Sequence, residues 1–122
     1  MNVMVCVTTQ QICERLIKAG HELIKDREDT LYIIHIAHYD SYFSGMSEEG
    51  EALDYLYEKA LEAGVALQVV RSNNVVNTIA HLIEENQIDR VILGKTREIG
   101  STGVKEKLEK NLNTSAIIQV VD

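Results

Sequence analysis

The stretch from Gly94 to Lys110 gathers the side chains best equipped for chemistry in this sequence. Lys95, Arg97, Lys105, Lys107 and Lys110 stand there against Glu98, Glu106 and Glu109. A cationic island thus sits on a chain whose net charge is −7, and such an island attracts anions. Within it, Gly100-Ser101-Thr102-Gly103 offers two hydroxyls and unhindered backbone N–H groups ahead of a predicted helix. Peptide N–H groups and the positive end of a helix suit a phosphate. A plain glycine turn carrying solvated charges would show the same residues. Gly94-Lys95-Thr96 looks like the tail of a P-loop. That motif needs a glycine five positions earlier, where Asp89 stands, so the P-loop reading fails.

His35-Ile36-Ala37-His38-Tyr39-Asp40 raises the question of a metal. Positions three apart on a strand point to opposite faces, so His35 and His38 do not converge on one ion. His38, at the predicted strand end, remains a candidate ligand contact, and Tyr39, Tyr42 and Phe43 follow it as a stacking surface or a hydrophobic cover. Cys6 and Cys13 have neither CxxC nor zinc spacing. Cys13 has no activating partner in sequence and reads as core. No GxGxxG follows the first strand, and no Gly-x-Ser-x-Gly elbow exists. A phospho-acceptor receiver needs acids where this chain has Thr8-Thr9-Gln10-Gln11 and an aspartate where it has Val70-Arg71. No catalytic acid, base or nucleophile can be named, and the expectation is a protein that is not an enzyme.

The elements that must position these residues alternate between two periods. Val3 to Val7 and Leu31 to Ile36 are continuous apolar runs, as in strands covered on both faces. Val65 to Val70, Val91 to Leu93 and Ala116 to Val121 supply three more strands. Between them, Ile12, Cys13, Leu16, Ile17, Leu23 and Ile24 recur at helical spacing, after a capping box formed by Thr8 with Gln11. Ser47 reads as the N-cap of a second helix whose inward stripe is Leu53, Leu56, Tyr57, Ala60 and Leu61, with Gly64 at its C-terminal end. Asn73 or Asn74 caps a third helix bearing Val76, Ile79, Ala80 and Ile83. A fourth carries Val104, Leu108 and Leu112.

The order βαβαβαβαβ predicts an α/β fold, a Rossmann-like three-layer sandwich around a five-stranded parallel sheet of order 3-2-1-4-5. Residues 1–122 are expected to form a single domain of ordinary size. Ligands of such sheets bind where strand order reverses, here between strands one and four. That places Thr8, Thr9 and Gln10 opposite Gly94, Lys95, Arg97, Gly100, Ser101, Thr102 and Gly103, with His38 on the same rim.

A hydrophobic content of 45% with no proline tract argues against disorder. The acidic balance argues against a nucleic-acid partner. The apolar runs are of strand length, short of a membrane span. Strand-like residues begin at Val3, so no signal peptide is expected, and a cytoplasmic location is the simplest expectation.

Three stretches resemble universal stress proteins: Val3 to Gly20, Ile88 to Gly94, and Gly103 through the last strand. The first, with Val5-Cys6-Val7 and Glu14-Arg15-Leu16-Ile17-Lys18-Ala19-Gly20, is most similar to the universal-stress domain of Kdp potassium-sensor histidine kinases. The family's nucleotide motif is glycine, two residues, glycine, nine residues, then glycine with serine or threonine. Gly94 matches its first glycine and Gly103 its third; Arg97 holds the second, and Val104 replaces the hydroxyl residue. The aspartate that family members place after the first strand is represented by Thr8. Cyclic di-AMP-binding Kdp domains carry Ser-x-Ser, twenty residues, then Phe-Thr-Ala-x-Tyr. Here the spacing holds from Thr8-Thr9-Gln10 to Leu31-Tyr32-Ile33-Ile34-His35, but the side chains differ.

The resemblance implies a non-catalytic stress or signalling module that binds ATP or another adenine nucleotide weakly, with no metal beyond a nucleotide-associated magnesium. It also implies a homodimer paired through the last strand, Ile117 to Val121, which has no proline or lysine to discourage pairing. A ligand-free dimeric scaffold of the same fold is the alternative, and a nucleotide hydrolase a remote one.

Overall fold

Five parallel strands form one sheet in the order β3-β2-β1-β4-β5. A computed structural model describes residues 1–7, 13–37, 47–94, 104–111 and 116–121. The elements run β1 (Asn2–Val7), α1 (Cys13–Leu23), β2 (Thr30–Ala37), α2 (Ser47–Glu62), β3 (Leu67–Arg71), α3 (Val75–Glu85), β4 (Arg90–Gly94), α4 (Val104–Asn111) and β5 (Ile117–Val121). The capping box expected at Thr8 and Gln11 lies outside the described residues.

The sheet is central because its middle strands are apolar on both sides. Val3, Met4, Val5 and Val7 of β1 have no exposed surface. Val5 lies beside Ile33 of β2 and Ile92 of β4, and Cys6 beside Ile34 and Leu93. Alternation along the strands then divides the interior in two. Val3, Val5, Val7, Leu31, Ile33 and Ile92 pack under Leu16 and Ile17 of α1 and Leu56 and Ala60 of α2. Met4, Cys6, Ile34, Val91, Leu93 and Ile118 pack against Ile79 and Ile83 of α3 and Leu108 of α4. Two helices therefore cover each face, completing the three-layer sandwich. Each fully buried aliphatic side chain contributes about 1.5–3 kcal/mol by leaving water.

Helix ends show how local sequence stops each run. α2 closes in a Schellman turn: the Val65 N–H donates to the Ala60 carbonyl at 3.0 Å, and the Gly64 N–H to that of Leu61 at 2.9 Å. Gly64 takes a φ of 82°, which glycine adopts freely. α3 ends in the same way, with Ile88 N–H to Ile83 at 2.9 Å and Gln87 N–H to Glu84 at 3.4 Å. Here the left-handed position, φ 52°, is held by Gln87. Asn74 caps α3, its side chain accepting from the Asn77 N–H at 3.1 Å. The Asn74 alternative of the cap assignment is thus the one realised.

Three sequence expectations need correction. α2 begins at Ser47 itself, so Ser47 lies in the first turn rather than before it. β3 starts at Leu67, because Val65 completes the α2 turn instead of entering the sheet. Tyr57 and Leu61 do not belong to the inward stripe of α2; both are exposed, while Leu56 and Ala60 are buried. Tyr57 and Leu61 are rotated about 100° from Leu56 and Ala60, beyond the width of the buried seam.

At the amino ends of the strands, polar groups hold β1 to the turn before β4. The Asn2 N–H donates to the Asp89 carboxylate at 2.7 Å, and the Asp89 N–H returns to the Asn2 carbonyl at 2.8 Å. The Asn2 side-chain amide donates to the Asn86 and Gln87 carbonyls, each at 3.1 Å. This rim is tied by bonds within the chain.

Candidate functional site

The carboxyl ends of the strands form the rim on which ligands of this architecture bind. β1 lies between β2 and β4, and its crossover to β2 carries α1 over one face. The crossover from β4 to β5 carries α4 over the other face. The connections thus diverge between β1 and β4, the position at which sheets of this order form a crevice beyond the strand ends. Because all strands are parallel, α1 and α4 each run back from this rim. Their N-terminal ends, where the helix dipole is positive, flank the crevice. An arrangement of this kind can hold an anion.

Gly94 is the last residue of β4, half-buried and in register with Val121 of β5. The other residues predicted to line the site, Thr8, Thr9, Gln10, His38, Lys95, Arg97, Gly100, Ser101, Thr102 and Gly103, lie outside the described residues. So do Tyr39, Tyr42 and Phe43. Val7, Ala37 and Gly94, the described residues that precede these segments in sequence, each end a strand at the same rim. On α4, Leu108 is buried while Lys107 and Lys110 are exposed, which keeps part of the basic island in water.

His35 was weighed in sequence only as a metal ligand, and the structure gives it another part on this rim. Its Nδ1 lies 2.8 Å from the carbonyl oxygen of Val7, the last residue of β1. A carbonyl only accepts, so Nδ1 carries the proton in this bond, and Nε2 is an acceptor in the neutral ring. His35 thereby fixes the end of β1 to β2. The sequence signal was its position two residues before the strand end, directly beside Val7 once register is known.

Ser72 is buried after β3, donates to the Asn74 carbonyl at 3.0 Å and pairs with the Thr78 hydroxyl. Burial pushes the Cys6 thiol up to about 12, so it stays protonated and is no nucleophile. Among the described residues, no three histidine, cysteine or acidic side chains gather to hold a metal.

A second feature escaped sequence reading. Glu14, in the first turn of α1, accepts from the Tyr55 hydroxyl at 2.7 Å and pairs with Lys59 at 3.1 Å. Lys59 also reaches Glu62 at 3.2 Å and lies over the Tyr55 ring at 5.4 Å. The Tyr55 bond, then Lys59, lowers the Glu14 pKa, and Glu14, then Glu62, raises that of Lys59. Glu14, Lys59 and Glu62 line a surface groove of about 460 Å³ between α1 and α2, together with Ile17, Lys18, His21 and Ala63. The i,i+3 pair Lys59–Glu62 is legible in sequence; its meeting with Glu14 needs the two helices side by side.

No protein-family model matches the chain, and no curated protein matches it by sequence. Solved structures do. The chain is similar to the universal stress protein from Archaeoglobus fulgidus in complex with dAMP, at 16% identity and a TM-score of 0.68, over 100% of this chain and 98% of that one. It is similar to a universal stress protein in complex with cAMP at 15% identity and a TM-score of 0.66, over 100% and 97% of the two chains. A universal stress protein family protein from Arabidopsis thaliana with AMP bound follows at 14% identity and 0.62, over 100% and 92%. At such identities the likeness establishes architecture alone, and the architecture of this chain is that of the universal stress proteins.

Proposed function

We propose that this chain is a non-catalytic regulatory module of the universal-stress type that binds an adenine nucleotide weakly in the crevice between β1 and β4. The observation that carries the reading is the divergence of the crossovers beyond Val7 and Gly94, flanked by two helix N-termini. Solved structures of the same fold in complex with dAMP, cAMP and AMP support the choice of nucleotide. Phosphates would lie toward Gly100 to Gly103, with Lys95 and Arg97 as partners. The finer likeness to Kdp sensor domains rests on residues 3–20 of the sequence. A cytoplasmic location belongs to the same reading, and no helix among the described residues is long and apolar enough to cross a membrane.

The experiment is a melting titration with ATP, ADP, AMP, cAMP and cyclic di-AMP. A micromolar dissociation constant corresponds to about −8 kcal/mol. Ligand at a hundredfold excess over that constant adds about 2.7 kcal/mol. At ~3–6 °C per kcal/mol for a chain of this size, the melting point rises by about 10 °C. Lys95→Ala with Arg97→Ala should remove most of the rise. No shift with any of the five at millimolar concentration overturns the reading. Steady release of inorganic phosphate from bound ATP would replace the non-catalytic module with a hydrolase.

The module is proposed to act as a homodimer through β5. Ile117 and Val120 remain 54% and 42% exposed on opposite faces of this edge strand. Antiparallel pairing about Gln119 would cover both and satisfy the free backbone edge. This observation also favours a second reading, a dimeric scaffold without ligand. Light scattering of the wild type and of Val120→Lys tests the dimer: a monomer mass for both excludes it.

A further inference from the structure

We propose that Tyr55 and Lys59 of α2 tune the affinity of the β1–β4 crevice for an anion, by holding the Glu14 carboxylate aside and cancelling its charge at the N-terminus of α1. The proposal rests on the reading of that crevice as a nucleotide site. It adds two positioning residues on an element that does not flank the crevice.

Glu14 is the second residue of α1 and the acid of its first turn. A carboxylate at this place is attracted to the same unpaired N–H groups and positive helix end that a phosphate uses. Left to itself, Glu14 would compete for those donors and repel the charge of the ligand. The fold turns it away. α1 packs on β1 and reaches β4, whereas α2 lies toward β3. The Tyr55 hydroxyl donates to Glu14 Oε1 at 2.7 Å, and Lys59 Nζ stands 3.1 Å from the same oxygen. Both partners belong to α2, so they draw the carboxylate to the side of α1 that faces away from β4.

The pair is built to keep this hold. Residues four apart share one face of a helix, which brings Tyr55 and Lys59 to Glu14 together. The Lys59 ammonium lies over the Tyr55 ring at 5.4 Å, and its side chain is only 25% exposed. Glu62 anchors it from the next turn at 3.2 Å. The Tyr55 bond, then Lys59, holds the Glu14 carboxyl below its ordinary range. Glu14 therefore stays ionised at neutral pH, and its charge is cancelled by Lys59 rather than by a proton. The whole arrangement is needed only because an acid stands at position 14, and the test reads that dependence.

The test is isothermal titration of the full chain with ATP, with urea midpoints recorded to verify the fold of each variant. Exposed charges interact modestly, so Lys59→Met should weaken ATP about three- to fivefold at about 0.05 M salt. At about 0.5 M salt, where screening reaches only a few ångströms, the loss should fall below about twofold. Lys59→Arg should restore the affinity. Glu14→Gln should bind ATP at least as tightly as the wild type, and in that background Lys59→Met should cost less than about twofold. A Lys59→Met loss of the same size in both backgrounds shows that Lys59 does not act through Glu14, and overturns the proposal. A loss indifferent to salt marks a packing effect and overturns it equally. Wild-type binding of ATP with Lys59→Met unchanged overturns this proposal alone, whereas a wild type that binds no ATP at 1 mM overturns the nucleotide reading together with it.

Discussion

Replacing Gly20 with alanine tests whether α1 is seated on β1 as tightly as the packing indicates. A Cβ at Gly20 would lie 2.3 Å from Val5 Cγ2, 3.2 Å from Leu31 Cδ1 and 3.8 Å from Val3 Cγ1. Val5 is fully buried and branched, so its methyl has nowhere to retreat without moving the strand. Helix propensity alone favours alanine over glycine by about 1 kcal/mol. Overpacking a filled core costs about 1–3 kcal/mol, and a 2.3 Å approach belongs at the upper end. The net expectation is a loss of about 1–2 kcal/mol, measured as a lower urea midpoint at unchanged slope. Val5→Ala alone should also destabilise, but in the double variant the two losses should fall short of additivity by about 1 kcal/mol or more. A Gly20→Ala protein more stable than wild type, or a strictly additive pair, refutes the close approach of α1 to the sheet. The seating matters to function because α1 starts at the rim of the candidate crevice.

The two Schellman turns give opposite outcomes: Gln87→Gly should stabilise by roughly 0.5–1 kcal/mol, since Gln87 holds a left-handed position, and Gly64→Ala should destabilise by about 1 kcal/mol. Urea midpoints of both variants check the pair, and effects of the same sign would contradict the turn assignment. The Asp29 carboxyl is held below its ordinary pKa, first by the Lys25 N–H at 2.9 Å and then by the N-terminal ammonium at 2.9 Å. Its contribution is therefore present above the ordinary carboxylate pKa of ~4 and lost as pH falls through the lower folded value. Asp29→Asn should accordingly flatten the decline of stability as pH falls below about 4. Cys6 behaves oppositely: its pKa is raised by burial to about 12, so its contribution is full below ~8.5 and is lost as pH rises from there toward that value. In a Cys13→Ser background the Cys6 thiol should resist a thiol reagent at pH 8 and react fully in denaturant; rapid reaction in the folded state would show that β1 is not buried.

How much could be read in advance varied with the range of the forces concerned. β1, β2 and β4 announced themselves as unbroken apolar runs, because a strand covered on both faces has no polar side. Asn74 before α3 and Gly64 after α2 were legible because a cap is satisfied by groups within a few residues. The boundary of β3 was not: Val65 is as apolar as a strand residue, but its N–H was taken by Ala60 in the turn. Tyr57 and Leu61 misled for a related reason. Their periodicity is compatible with burial, but the seam of α2 is only as wide as the sheet edge beneath it, and β3 is the last strand.

Of the candidate site, topology was readable and contact was not. The alternation of periods and the absence of breaks within them determined, from the sequence alone, a parallel sheet whose crossovers diverge beside β1. That follows from local patterning together with the right-handedness of such crossovers. Only the tertiary structure decided that His35 bonds the last carbonyl of β1 and that Glu14 meets Tyr55 and Lys59 across two helices. Each depends on register or on helix rotation. Those are settled by the packing of many side chains at once, and no short window of sequence contains them.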